Sequence, residues 1–181
     1  SVDQRIIEKC ARLFCEAVAH RVMKPALAEL EKDALTEVQL LCIRFVHLHP
    51  EPSVGAIASG LNISNAAAAK LIDRLVKKQL LSREEDSKDR RVLKIKLTPA
   101  GEYLLTQITR IQAGQLNQIF ARMPAREFAA LQMGLVGFLK AALLNAAEVE
   151  EICLRCGIDH ITECPGNLRY YELTGKNKTN V

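Results

Sequence analysis

At 181 residues the chain suffices for one domain with a sizeable core, or for a small domain with an appendage. Its composition, 49% hydrophobic and 25% charged, is that of a globular protein, and 4% aromatics with no Trp exclude a strategy of stacking on unpaired bases. A net charge of +4 names no partner, but ten of the 25 basic residues lie between Lys70 and Lys96 with only five acids among them, so the remainder is slightly acidic.

Apolar residues at Ile6, Cys10, Leu13, Ala17, Val22, Leu27 and Leu30 keep a helical period, which predicts a first helix from about Asp3 to Asp33, kinked or broken at Pro25. Thr36 and Gln39 form a capping box that opens a helix from Glu37 to about His47, with Leu40, Leu41, Ile43 and Phe45 inward and Pro50 and Pro52 beyond it. Ser53 caps a short helix over Val54–Ser59, which Gly60 is expected to end in the left-handed conformation. Ser64 then caps a helix reaching Gln79. It buries Ala68, Leu71, Ile72, Leu75 and Val76 and presents Ala66, Lys70, Asp73, Arg74 and Lys77.

From Leu80 the period turns to alternation. A strand over Leu80–Glu84, a polar loop over Glu85–Arg90 and a returning strand through Val92, Lys94, Ile95 and Leu97 make a hairpin. Thr98-Pro99 opens a long helix to about Arg122, carrying Leu104, Leu105, Ile108, Ile111 and Ile119. Pro124 opens another, to about Ala147, with Phe128, Leu131, Leu135, Phe138, Leu139 and Leu143 inward. The chain changes character after Glu148 and ends in a polar segment from Gly175, expected to be disordered.

Two helices joined by a short turn, the second basic on its outer face, have the form of a helix-turn-helix. Small side chains at the leading end let the backbone approach base edges in a major groove, which places Ser64, Asn65 and Ala67 deepest, with Lys70 and Arg74 reaching guanine edges or phosphates. A solvated amphipathic surface helix would look similar, but the hairpin tip puts Lys88, Arg90 and Arg91 on one projecting loop, suited to the negative potential of a minor groove. Asp89 is expected to pair with a nearby cation and hold the tip in shape.

These residues resemble the MarR-type transcription regulators. The helix-turn-helix pattern is Ile57-Ala58-x-x-Leu61-x-Ile63-Ser64, then Leu71-Ile72-x-x-Leu75 and Gln79-Leu80-Leu81, and the wing is Asp86-x-Lys88-Asp89-x-Arg91, followed by Ile95-x-Leu97-Thr98-Pro99-x-Gly101. The family usually has Arg at the position of Lys88 and Gly at that of Gln79. The likeness covers residues 3–147 and is strongest in the central 50 or so. It implies a mainly α fold, in which a winged helix-turn-helix domain (36–97) with a two-stranded β wing joins an all-helical dimerisation region (1–35 and 98–148). It also implies a homodimer on a pseudo-palindromic operator in double-stranded DNA, as a repressor, and no enzyme activity. Independently, the apolar stripes between Thr98 and Ala147 are well placed to be buried against a partner.

Residues 149–181 lie outside the resemblance. No uncharged apolar run spans a bilayer and the first nine residues lack a secretory profile, so a cytoplasmic protein is expected, with thiols rather than disulfides. Cys153, Cys156, His160 and Cys164 are spaced C-x2-C-x3-H-x3-C before Pro165, a pattern in which thiolates and an imidazole complete a tetrahedral zinc site. An iron–sulfur cluster is the alternative, with His160, Cys10 or Cys15 as fourth ligand, and zinc is favoured. Cys10 and Cys15 are about 140° apart on a helix, so they do not share one site. Cys10 is expected to be a buried inert thiol, and Cys42, between Leu41 and Ile43, a core residue. The segment 149–181 is thus read as a metal-binding or redox tail, with a bare redox dithiol or no special role as further alternatives; a metal or redox centre there would tune DNA affinity, or the cysteines would be a structural zinc site beside a small organic effector. A hydrolase or redox enzyme is disfavoured because His20, His47 and His49 are scattered and no acidic cluster accompanies the cysteines.

Overall fold

The structure is a computed structural model, and it describes residues 3–28, 35–85, 93–158 and 161–178. The chain forms two compact units, one from the described residues of 1–35 and 106–123, the other from those of 36–105 and 124–181.

In the first unit α1 (Gln4–Val18) starts at Asp3, whose side chain accepts from the Arg5 N–H. A π-helical turn, Ala19–Met23, follows, and α2 (Lys24–Ala28) completes the run. The break expected at Pro25 is thus one wide turn just ahead of the proline. The ring removes a donor and crowds the carbonyl four residues back, and a π turn relieves both. Val22 and Ala26 are buried, yet α1 itself buries nothing: Ile6, Leu13 and Phe14 are exposed, and so is Cys10, against the expectation that it sits in a core.

In the second unit α3 (Glu37–Leu48) opens on the expected capping box, Thr36 N–H to Gln39 Oε1 at 3.0 Å and Gln39 N–H to Thr36 Oγ1 at 3.3 Å. α4 (Val54–Gly60) is capped by Ser53 and α5 (Asn65–Lys77) by Ser64. Gly60 does not end α4 in the left-handed region; Asn62 does, at φ 54°. The Ile63 N–H reaches the Ala58 carbonyl and the Asn62 N–H that of Ser59, so the turn is a Schellman motif with Asn in the glycine position. Gly60 serves space instead, since a Cβ there would sit 1.9 Å from Phe45 Cε2. The end of α5 repeats the motif with Gln79 at φ 60°, the Leu80 N–H bonding Leu75 and the Gln79 N–H bonding Val76.

Strands β1 (Leu81–Glu85) and β2 (Leu93–Leu97) pair antiparallel, Leu81 opposite Leu97 and Glu85 opposite Leu93. Ile43, Ile57, Ile72, Leu75, Leu81 and Ile95, from three helices and both strands, are fully buried and form the core of the reader. Each contributes about 1.5–3 kcal/mol on burial.

Thr98 starts α6 (Pro99–Phe120), accepting from the Gly101 N–H at 3.1 Å and donating to the Gln79 carbonyl at 2.6 Å. α7 (Ala125–Ala142) ends before the predicted Ala147 and buries no residue; Phe128 and Phe138, expected inward, are exposed, and only Leu143 just beyond it is buried. The chain turns at Leu144 because Asn145 and Glu148 cap a new helix: Asn145 Oδ1 accepts from the Glu148 N–H at 3.0 Å, and Glu148 from the Leu144 N–H at 2.6 Å. That helix, α8 (Ala146–Cys156), closes at Gly157 (φ 65°), and α9 (Pro165–Thr174) follows. The described residues between 149 and 174, to which the sequence reading assigned no helix or strand, are therefore largely helical. Leu143, Val149 and Cys153 form their small core, with Leu139, Tyr170 and Leu173 packed around it.

Candidate nucleic-acid interface

Ser64 fixes where α5 begins by accepting the Ala67 N–H at 3.1 Å, so one hydroxyl both caps the helix and marks its leading end. Ser64, Asn65, Ala66 and Ala67 are all exposed, and no bulky side chain stands in front of them. Ala68, Leu71, Ile72 and Leu75 anchor the opposite face, leaving Lys70, Arg74 and Lys77 in solvent with no ion pair among the described residues. The first turn of the helix carries the positive end of the peptide dipoles, which adds to the attraction for phosphate.

Ion pairs tie the hairpin to this helix and to the turn before α4. Arg83 on β1 meets Asp73 on α5 at 2.7 Å. Glu51 lies between Lys94 and Lys96 at 3.0 and 2.9 Å, and Lys96 also reaches Glu84 at 2.7 Å. The hydrogen bonds from these lysines hold the Glu51 carboxyl below its ordinary range, and the hydrogen bonds that Lys96 donates to Glu84 and Glu51 push its ammonium above its own. Pro52 adds a backbone bond to β2, from the Ile95 N–H at 3.0 Å. Three of the basic residues counted in the sequence, Arg83, Lys94 and Lys96, are thus spent on holding the wing in place. Lys88, Arg90 and Arg91, the predicted tip, lie outside the described residues, as does His160.

The structure brings the tail cysteines to one end of α8. Cys153 and Cys156 are one turn apart on that helix, and Cys164 caps α9 with its Sγ accepting from the Asn167 N–H at 3.4 Å. Gly166 leaves the room they need, because a Cβ there would lie 3.0 Å from the Cys153 sulfur and 3.5 Å from that of Cys164. Burial pushes the Cys153 thiol up to about 11, with Cys164 and Cys156 adding to the shift. Among the described residues no three Cys, His, Asp or Glu side chains converge on a metal-sized space. Cys10 and Cys15 are exposed on α1, in the other unit, and Cys42 is core as expected, its thiol raised to about 12 by burial.

Sequence reasoning missed what joins this module to the reader. Arg44, on α3, is 6% exposed, and its guanidinium donates through Nη1 to the carbonyl of Arg155 in the last turn of α8. A cavity of about 450 Å³ lies between α3 and α8, lined by Phe45, His49, Gly60, Cys153, Tyr170 and Lys178 among others.

The sequence model of the MarR family matches residues 35–93. The chain is 26% identical over 151 residues to the HTH-type transcriptional repressor MdtR of Bacillus subtilis (strain 168), covering 83% of this chain and 93% of that one. RV1404 of Mycobacterium tuberculosis superposes with a TM-score of 0.72 at 20% identity, over 78% of this chain and 95% of that one. A mutant of S. aureus MepR bound to an oligodeoxyribonucleotide superposes with a TM-score of 0.60 at 20% identity, over 75% and 97%. The mainly helical winged fold expected from the sequence is the fold observed. No described helix is long and apolar enough to cross a membrane.

Proposed function

We propose that this chain, whose residues 35–93 match the sequence model of the MarR family, is a member of that family and a sequence-specific, double-stranded-DNA-binding transcription regulator, a repressor rather than an enzyme. The observation that carries this reading is the exposed leading end of α5, with Lys70 and Arg74 behind it, neither ion-paired among the described residues, and a wing fixed to the same helix by Asp73 and Arg83. Ser64, Asn65 and Ala67 approach base edges in the major groove, Lys70 and Arg74 contact guanines or phosphates, and Lys88, Arg90 and Arg91 enter the flanking minor groove.

The protein acts as a homodimer. α1 exposes Ile6, Leu13 and Phe14, and α7 exposes Phe128, Met133 and Phe138, apolar surface that a second copy would cover. Residues 1–35 and 98–148 supply this dimerisation region, 36–97 the reader, and 149–181 a cysteine module that tunes DNA affinity. Cys153, Cys156, Cys164 and His160 hold its metal, with zinc favoured over an iron–sulfur cluster. The Cys153 and Cys164 sulfurs both lie close to Gly166, so two of the proposed ligands share one locality, while among the described residues no three ligands converge on one ion. The cavity beside Phe45 and Tyr170 favours a second reading, a small organic effector bound next to a purely structural zinc, since its volume is in the range of ligand pockets.

Selection of the purified protein on randomised duplexes tests the core of the proposal. The expected outcome is an inverted repeat with half-site centres about one helical turn, ~34 Å, apart, bound by two copies of the chain. A pool that enriches no motif, or a single half-site bound by one copy, would overturn it.

A further inference from the structure

Arg44 is the only charged side chain buried among the described residues. Nothing in a helix-turn-helix core calls for a cation there, and taking a guanidinium out of water is costly unless its donors find acceptors. Nη1 finds one, the Arg155 carbonyl, an orphan acceptor at the negative end of α8. The stem passes Gly157, where the backbone is left-handed (φ 65°) and a Cβ would run into Arg44 Cδ and Nε, so only glycine at the end of α8 admits it. Nε itself is buried without an acceptor. A buried polar contact that is not fully satisfied does little for stability, but it fixes one arrangement of the two helices it joins.

Those two helices lead in different directions. α3 packs against α4, α5 and β2, the elements of the reader. α8 leads back to α7 through the turn held by Asn145 and Glu148, and α9 braces that elbow. Arg169 on α9 donates to the Leu143 carbonyl just beyond α7 at 2.8 Å, and Glu172 on α9 meets Lys140 of α7 at 2.6 Å. Leu139, Tyr170 and Leu173 pack on Leu143, Val149 and Cys153 between them. Packing thus runs without a gap from α7, which exposes Phe128, Met133 and Phe138, through α9 and α8 to Arg44, α3 and α5.

We infer that α8 and α9 are a strut that sets the distance between the two α5 helices of the dimer, and that Arg44 is the positioning residue through which the strut grips the reader. The inference rests on reading α7 as dimer surface and uses no metal at the cysteines. Each base pair added between two half-sites moves one of them by ~3.4 Å along the duplex and turns it by about 35°. A rigid strut cannot follow that displacement, and a loosened one can.

Full-length wild type and Arg44→Met are titrated against duplexes carrying the selected inverted repeat at its own spacing, with one base pair added, with one removed, and against a single half-site. Wild type is expected to lose affinity roughly tenfold or more when the spacing changes, because DNA or protein must deform to restore the fit. In Arg44→Met the loss shrinks to about threefold or less, two copies still bind the repeat, and the single half-site is held within about twofold of wild type. If the Met variant does not fold, Gly157→Ala, which displaces the guanidinium from the other side of the contact, is held to the same criteria. An undiminished spacing penalty in the variant, a half-site affinity that falls as far as that for the repeat, or a wild-type dimer indifferent to spacing would overturn the strut and leave the dimer standing. A wild-type complex holding one copy of the chain would overturn the dimer and this inference together.

Discussion

Replacing Lys70 and Arg74 together by glutamate is expected to weaken duplex binding by two to three orders of magnitude at constant salt. Both side chains are exposed on α5 without an ion pair among the described residues, so nothing in the fold is lost with them. The melting temperature should stay within a degree or two, as for surface changes of about 0.5 kcal/mol. Each lysine or arginine on a phosphate contributes a counterion-release slope of about 0.9, so with two such residues in each protomer of a dimer the dependence of log affinity on log salt should become shallower by about three to four. Fluorescence anisotropy of a labelled duplex over a salt series reads both quantities. An unchanged slope would mean that this face does not meet the backbone. Asn65 is expected to behave differently, since loss of a base contact relaxes preference at one operator position by about 1–3 kcal/mol and leaves the slope alone.

The second large effect is on stability. Gly101→Ala would put a Cβ 2.2 Å from the Leu80 carbonyl oxygen and 3.0 Å from Leu97 Cδ2. Neither neighbour is free to retreat. The Leu80 carbonyl accepts the Thr98 N–H at 3.1 Å, while Thr98 ties Gln79 to Gly101 through its hydroxyl. Relief requires the start of α6 to move off the end of α5, and overpacking of this kind costs on the order of 3 kcal/mol or more. For a chain of this size that lowers the melting temperature by about 6–12 °C, measurable by circular dichroism. Gly114→Ala is the control. Its Cβ would meet nothing within 4 Å, and removing a helix-interior glycine should stabilise by about 0.5–1 kcal/mol.

The reader was legible because local rules and burial agree there. Thr36, Ser53 and Ser64 start helices as their side chains dictate, and the change of period at Leu80 marks the wing. The turn after α4 was misread because glycine was taken for its conformational freedom, whereas Asn62 supplies the left-handed residue and Gly60 supplies room for Phe45. Gln79 stands where the family's glycine would, and its positive φ shows that the backbone demand persists although the residue has changed. The inward face assigned to α7 failed for a different reason. An apolar stripe says that a surface is to be covered but not whether by the same chain.

The two helices of the tail went unassigned in the sequence. Asn145 with Glu148, Gly157 and Cys164-Pro165 are ordinary start and stop signals, and they bound two helices that the metal-ligand spacing had obscured. Arg44 could not have been found at all. In the sequence it is one more cation on an amphipathic helix, and only the fold shows it inside, against the end of α8.

The central claim, that this chain grips duplex DNA through α5 and its wing, is tested most directly by the salt dependence of wild-type binding to the selected duplex and to its separated strands. The account predicts a linear fall of log affinity with log salt, with a slope of about −5 or steeper for a dimer making six or more phosphate contacts, and much weaker binding to either single strand. A slope near zero, or equal affinity for the single strands, would contradict it.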